Sequence, residues 1–428
     1  MFQFAFRVLL AGCRERRVEQ FGRVAGLLVG AFVSVSSVSA ADWPFFRGPQ
    51  QNGSSAETDW RSDWSDGPPS IAWKKQVGIG ASSVVVVENR LITMGNEDDQ
   101  DSVWCLAADT GDVLWTYRYP CKFKDHNYEG GTSSTPTIDG NNVYVLAYDG
   151  QLHCLELLTG KLVWKRHLVT DFGGRYSSWD YAASPLVVGN RVILDTGADG
   201  NSTVALDKSD GTLLWGNGND LAGYATPISY RAGNVKMVLV FKARALIAHD
   251  VSSGQQVWRI PWKTNYDVNA SSPIAVGKQL FVSSGYGGRR ARGALFDLQS
   301  GNPEEQWVND DIETKMNSAV VVDEHAYCLS ERAAGQLMCV RLKDGVTVWR
   351  EESFSPYGAL MVAAGTLIIL DEDGQLVLAD AASRGFHQRG RLAVLSSRSW
   401  AMPVLANGFI YVRSNAGELV AVDVRKRG

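Results

Sequence analysis

Histidine is scarce in this 428-residue chain. Its six copies stand at 126, 153, 167, 249, 325 and 387, and no two share a metal-ligand spacing. Cysteine is as sparse: none of the six is adjacent to another, and none begins a Cys-x-x-Cys-His haem-attachment motif. No Gly-x-Ser-x-Gly elbow is present; the nearest stretch, "GTSST" from Gly131, leads into an apolar strand instead. These absences remove the common sequence signatures of metal, haem and serine-hydrolase chemistry. Proline is limited to 13 residues against 43 glycines while 45% of the chain is hydrophobic, a composition for a large globular core rather than a disordered tract. The formal net charge of −4 speaks against nucleic acid or an anionic membrane surface as the main partner.

Long apolar runs are also missing, since none reaches the ~20 residues needed to cross a bilayer. The longest, "VAGLLVGAFVSV" at 24–35, follows Arg14, Arg16, Arg17 and Arg23 and precedes "SSVSA" ending at Ala40. A basic region, a short apolar core and small residues describe a secretory signal peptide over residues 1–40, with the exported chain starting at Ala41. A competing reading takes "LLAGC" as a lipoprotein box that would anchor the chain through Cys13. Neither reading leaves a membrane span in the remainder.

What the chain does have is one phrase written many times. "CLAADTGDVLW" (105–115) returns as "CLELLTGKLVW" (154–164), "VALDKSDGTLLW" (204–215), "IAHDVSSGQQVW" (247–258), "ALFDLQSGNPEEQW" (294–307) and "CVRLKDGVTVW" (339–349). Two late copies, from Leu376 and Leu419, lack the tryptophan. Tryptophans 73, 115, 164, 215, 258, 307 and 349 are 42 to 51 residues apart, a period that signals a repeat architecture. Within each period, turns such as Asp-Gly and Thr-Gly separate four apolar strands. The spacing therefore predicts an all-β fold, an eight-bladed β-propeller of four-stranded antiparallel blades. Its last blade would be closed by the N-terminal Trp73 strand joining the C-terminal strands, which removes exposed sheet edges. The tryptophans are expected to pack between blades. The organisation reads as 1–40 signal peptide, 41–70 an extended segment carrying "WPFFRGP", and 71–428 the propeller.

The repeat resembles that of the pyrroloquinoline-quinone-like propeller family, over roughly residues 71 to 424. That family includes quinoprotein dehydrogenases and BamB-like assembly scaffolds, and the "DWPFFRGPQQNG" stretch at 42–53 resembles a motif of secreted bacterial members. In the dehydrogenases, the resemblance implies two adjacent cysteines stacked on the quinone and carboxylates holding calcium; this chain has no adjacent cysteines. The acidic stretches 96–101 and 371–374 fall where turns belong and are expected to be solvated rather than calcium loops. With that machinery missing, the chain is expected to be a non-enzymatic, monomeric scaffold without cofactor or metal, binding an envelope protein in the periplasm or at the cell surface. The alternative is a small-molecule or quinoprotein-type oxidoreductase site in the channel mouth.

The connections between blades are long and rich in aromatic, charged and amide residues, which makes their face the expected binding face. Tyr128, Arg175, Trp179, Asp180, Tyr266, Asp267, Asn269, Lys315, Asn317, Arg398 and Trp400 are its candidate residues. Aligning the repeats also sets Cys328 directly opposite Cys339 on neighbouring strands, within reach of a disulfide. Cys105, Cys154 and Cys339 occupy equivalent positions in different blades, too far apart to pair.

Overall fold

The computed structural model describes residues 41–426 apart from 126–127, 177, 289–290 and 333–334. The signal-peptide and Cys13 readings lie outside the described residues, as do His126 and parts of the loops at 177 and 289–290. Within them the chain is almost wholly β, folded as eight antiparallel sheets of four strands each, with one added strand on the seventh. Blade I runs from Val85–Val87 to Val113–Pro120, and blade II from Thr137–Asp139 to Leu162–His167. Blade III spans Leu186–Val188 to Leu213–Asn217, blade IV Ile228–Ala232 to Gln256–Pro261, and blade V Ile274–Val276 to Glu304–Asn309. Blade VI covers Val320–Val322 to Thr347–Glu351, and blade VII Ala359–Ala363 to Gln388–Ala393. Blade VIII takes three strands from Val404–Ala406 to Glu418–Asp423 and its outermost from Ser70–Gln76. Both ends of the propeller thus share one sheet, as the repeat count predicts.

The repeated phrase has a physical cause. Trp115, Trp164 and Trp349 each stand opposite the cysteine of the neighbouring strand, Cys105, Cys154 and Cys339. Each ring then reaches the next blade. Trp73 Nε1 donates to Ala108 O at 3.0 Å, Trp115 Nε1 to Leu157 O at 2.9 Å, and Trp164 Nε1 to Lys208 O at 3.1 Å. The turn glycine of that next blade lies flat beneath the ring. A Cβ on Gly160 (φ +70°) would sit 2.5 Å from the Trp115 ring, and one on Gly211 2.7 Å from that of Trp164. Glycine is required there twice over, by the positive φ and by the contact. The "TG" of one copy and the "W" of the previous copy are therefore two halves of one inter-blade joint.

Blade VII lacks its tryptophan, and Gly390 occupies the equivalent register opposite Leu378. Trp64, from the segment before the propeller, fills the gap. Its amide donates to Arg389 O at 3.0 Å, its ring lies over Gly390, and it is buried in the same core as Leu378 and Leu405.

A second set of joints circles the channel at the start of the innermost strands. Ser83 N donates to Thr135 Oγ1, Thr135 N to Ser184 Oγ, Ser184 N to Thr226 Oγ1, and Ser272 N to Ser318 Oγ, all at 2.8 to 3.0 Å. Each hydroxyl accepts the amide of a neighbouring blade, which satisfies a buried donor where the innermost strand has no sheet partner.

Residues 42–55 enter the channel and pair with those innermost strands. Trp43 exchanges backbone bonds with Val86, Pro44 O accepts from Ile138 N at 2.8 Å, and Gln51 Oε1 accepts from Ser229 N at 2.8 Å. Arg47 donates to Ala319 O at 2.6 Å, and Ser54–Ser55 adds a parallel strand beside Ala359–Ala363. The "WPFFRGP" stretch and the residues that follow it are thus a plug bonded to blades I, II, IV, VI and VII.

Two expectations are corrected. Cys328 faces Met338, while Cys339 faces Tyr327. Neighbouring positions along a strand point to opposite faces, so Cys328 lies in the core shared with Phe281 of blade V, and Cys339 in the core shared with Leu367 and Ile369 of blade VII. All five described cysteines are free and buried. The acidic stretches 96–101 and 371–374 are only partly solvated: Asp371 is buried and accepts the Ser355 amide at 2.9 Å, and Asp101 is fully buried, accepting from Asn96 Nδ2 at 2.7 Å and Tyr119 Oη at 3.3 Å. Burial pushes the Asp101 carboxyl up to about 6 against the lowering effect of the Asn96 and Tyr119 bonds. The folded state holds that proton more tightly than the unfolded chain. The associated stability is complete below about pH 4 and is lost as pH rises through about 6, by about 3 kcal/mol. Asp101→Asn should flatten this part of the curve, so urea midpoints of variant and parent should diverge between pH 4 and 7. Parallel curves would refute it.

Candidate functional site

The long inter-blade connections open around a cup of about 390 Å³ at the mouth of the channel. Its geometry follows from one repeat position, two residues before the site that carries the inner hydroxyl in blades I to VI and Ala359 and Met402 in blades VII and VIII. Around the ring that position holds Ala81, Ser133, Ala182, Tyr224, Ala270, Met316, Tyr357 and Trp400, and all eight line the cup. Where the residue is small the wall recedes; where it is aromatic the wall closes in. Tyr128, Trp179 and Tyr286 add rings from other parts of the loops, and Phe46 and Arg47 of the plug form the floor.

The rings are locked to one another and to ion pairs. Trp400 lies 5.4 Å from Tyr128 and 5.9 Å from Tyr357, centre to centre, and its Nε1 donates to Glu372 Oε1 at 2.9 Å. Arg398 stacks over Trp400 at 4.6 Å and grips Glu129 with two bonds of 3.0 and 2.7 Å. Burial raises the Glu129 carboxyl, but the bonds from Arg398 and Asn415 outweigh it and hold it below its ordinary range. Trp179 packs edge-on against Tyr224, whose hydroxyl accepts the Trp179 amide at 3.1 Å. Lys315 bonds Tyr357 Oη at 2.6 Å and Glu331 at 2.5 Å.

Of the candidate residues, Tyr128, Trp179, Asn317, Arg398 and Trp400 line the cup, and Lys315 braces its wall. The other five are held elsewhere. Arg175 turns outward to Asp199 at 2.6 Å, and Asp180 is buried against Lys124 at 3.3 Å. Tyr266 is 71% exposed in a short turn at Asn265–Asp267, and Asp267 pairs with Arg244 at 2.6 Å. Asn269 is fully buried, its Nδ2 donating to the backbone carbonyls of Lys242 and Ala243. Arg175, Asp180, Asp267 and Asn269 thus face loop backbone or local counter-charges, and Tyr266 faces solvent. Tyr224, Tyr286, Tyr357, Phe46 and Arg47 were not among the candidates. The recurring position before the inner strands could have singled out Tyr224 and Tyr357, but no pattern in the sequence points to the plug pair.

A family model described as "Outer membrane protein assembly factor BamB" matches residues 52–149 and 101–351. The outer membrane protein assembly factor BamB of Escherichia coli (strain K12) is 30% identical over 122 residues, which is 27% of this chain and 27% of that protein. The match therefore spans about a quarter of that relative's length. Among solved structures, BamB from Moraxella catarrhalis superposes with a TM-score of 0.64 at 16% identity, covering 84% of this chain and 98% of that one. The quinohemoprotein alcohol dehydrogenase from Comamonas testosteroni gives 0.65 at 14% identity, covering 90% and 81%. At such identities the likeness is one of fold. The donor set of a quinone–calcium centre does not fit this cup: its charged lining residues among those described are two arginines, with no carboxylate.

Proposed function

The chain belongs to the family described as the outer membrane protein assembly factor BamB, and from that membership we propose that it is an exported, non-catalytic propeller. In this reading it holds an envelope protein by the face into which the cup opens, in support of outer-membrane protein assembly. The observation that carries the reading is the convergence of Tyr128, Trp179, Tyr224, Tyr286, Tyr357 and Trp400, from separate repeats, on one partly solvated cup. Aromatic rings held in a preformed depression are what protein anchors bury themselves against. The non-catalytic part rests on the sequence, which has no adjacent cysteines. The dehydrogenase likeness supports the fold alone.

Trp179→Ala with Trp400→Ala should leave the protein cooperatively folded, with its melting point lowered only by the ring contacts that are lost. Partner capture should fall at least about thirtyfold, since even one anchor of this kind contributes ~2 kcal/mol or more. The measurement is cross-linking of the purified protein to a solubilised envelope fraction. Equal capture by parent and double variant would sink the reading.

A further inference from the structure

Arg47 is a buried cation with no counter-charge among the described residues. It is 2% exposed, and its partners there are two backbone carbonyls, Ala319 O at 2.6 Å and Gln51 O at 3.4 Å. A guanidinium has five N–H donors in a planar fork, so these bonds leave donors unspent. Burial, unopposed by any carboxylate, pulls its pKa down to about 9, so it stays charged at neutral pH. Holding such a charge away from water is costly unless something in the working state pairs with it.

Asn317 lies two residues before the carbonyl that Arg47 bonds. It is 5% exposed, and its Nδ2 donates to Pro356 O at 3.2 Å while its Oδ1 accepts nothing from the described residues. Both side chains line the cup. The other charged residue there, Arg398, already has Glu129. The lining therefore holds a cation without a counter-charge and a buried acceptor without a donor among the described residues, beneath an aromatic wall.

We propose that the cup receives the free carboxyl terminus of a polypeptide. The terminal carboxylate takes the unspent donors of Arg47, the N–H of the last residue donates to Asn317 Oδ1, and an apolar terminal side chain lies against the rings. This rests on the scaffold reading above and names the chemistry of its partner. A carboxylate is the anion that an arginine fork matches in two bonds. The adjacent N–H is the feature that sets a chain terminus apart from a simple organic acid. A volume near 390 Å³ falls within the range of small-ligand sites, about 300–1,000 Å³.

The test is a titration of the intact protein, read by tryptophan fluorescence, with three probes: acetyl-Ala-Ala-Phe acid, the same peptide as its C-terminal amide, and 3-phenylpropionate. The acid should bind about tenfold to a hundredfold more tightly than the amide, the span expected for charged hydrogen bonds. 3-Phenylpropionate should bind more weakly than the peptide acid. Arg47→Met should abolish the acid–amide difference, and Asn317→Ala should weaken the peptide acid without affecting 3-phenylpropionate. Equal binding of acid and amide to the parent protein, or binding of neither, overturns the proposal, and this comparison needs no variant to fold. Binding of 3-phenylpropionate as tight as the peptide acid overturns it in favour of a small-molecule carboxylate. If acid and amide bind alike while the Trp179/Trp400 variant loses its partner, the terminus inference falls and the scaffold reading stands.

Discussion

Replacing Trp64 by alanine should destabilise the protein by about 3–5 kcal/mol, the cost expected for a buried tryptophan in a repeat such as Trp164, although no repeat contains Trp64. The ring is 5% exposed and covers Gly390, the residue that stands where the blade VII tryptophan would be. Alanine would open a cavity between blades VII and VIII lined by Leu378 and Leu405, which cannot collapse because both sheets are tied into a closed ring. Denaturant unfolding of Trp64→Ala and Trp164→Ala should give similar losses. Leu213→Ala, on an outer strand where the side chain is 46% exposed, should stay within about 0.5 kcal/mol of the parent. If Trp64→Ala unfolds with Leu213→Ala, the segment before the propeller only rests on it.

Trp64 also marks where the sequence stopped being legible. Everything governed by the period was readable: the eight blades, the ring closed by the Trp73 strand, and the inter-blade role of the tryptophans all follow from the spacing of one phrase. Two kinds of feature were not. The first is register. Tyr327 faces Cys339 just as Tyr144 faces Cys154, and a strand pairing shifted by one residue is all that separates this register from one with Cys328 opposite Cys339. With a side-chain period of two, a single-residue error exchanges one inter-blade core for another. The second is the placement of segments outside the repeat. Nothing in "WPFFRGP" is periodic, and the contacts of the plug reach Val86, Ala319 and Val362, so its position depends on a channel that exists only after the ring has closed. The cup divides in the same way. Its Tyr357 and Trp400 belong to a repeated position, whereas Arg47 reaches the floor only through the plug.

The second large effect is expected at Lys242 and Asp195, which meet at 2.6 Å between blades III and IV with both side chains fully buried. Lys242 also donates to Ser202 O at 2.6 Å, and Asp195 accepts the Gly223 amide at 2.9 Å. Burial pushes the carboxyl up and the ammonium down, and each charge is the other's main counterweight. Taking two ions out of water offsets most of their attraction, so the pair is a weak stabiliser as a unit. Removing one member leaves the other stranded. Lys242→Met should therefore cost about 3–5 kcal/mol, while Lys242→Met with Asp195→Leu should recover most of that loss. The pH dependence fixes the cause. Without Lys242 the Asp195 carboxyl must be protonated to remain buried, so its folded pKa rises further above the unfolded value. A group raised in this way stabilises at low pH and ceases to do so as pH increases. Acidification from pH 7 to 5 should then narrow the gap in urea stability between Lys242→Met and the parent, while the double variant shows no such narrowing. A pH-independent gap, or a double variant no more stable than Lys242→Met, would mean that lost packing of the lysine stem sets the cost and the orphaned carboxylate does not.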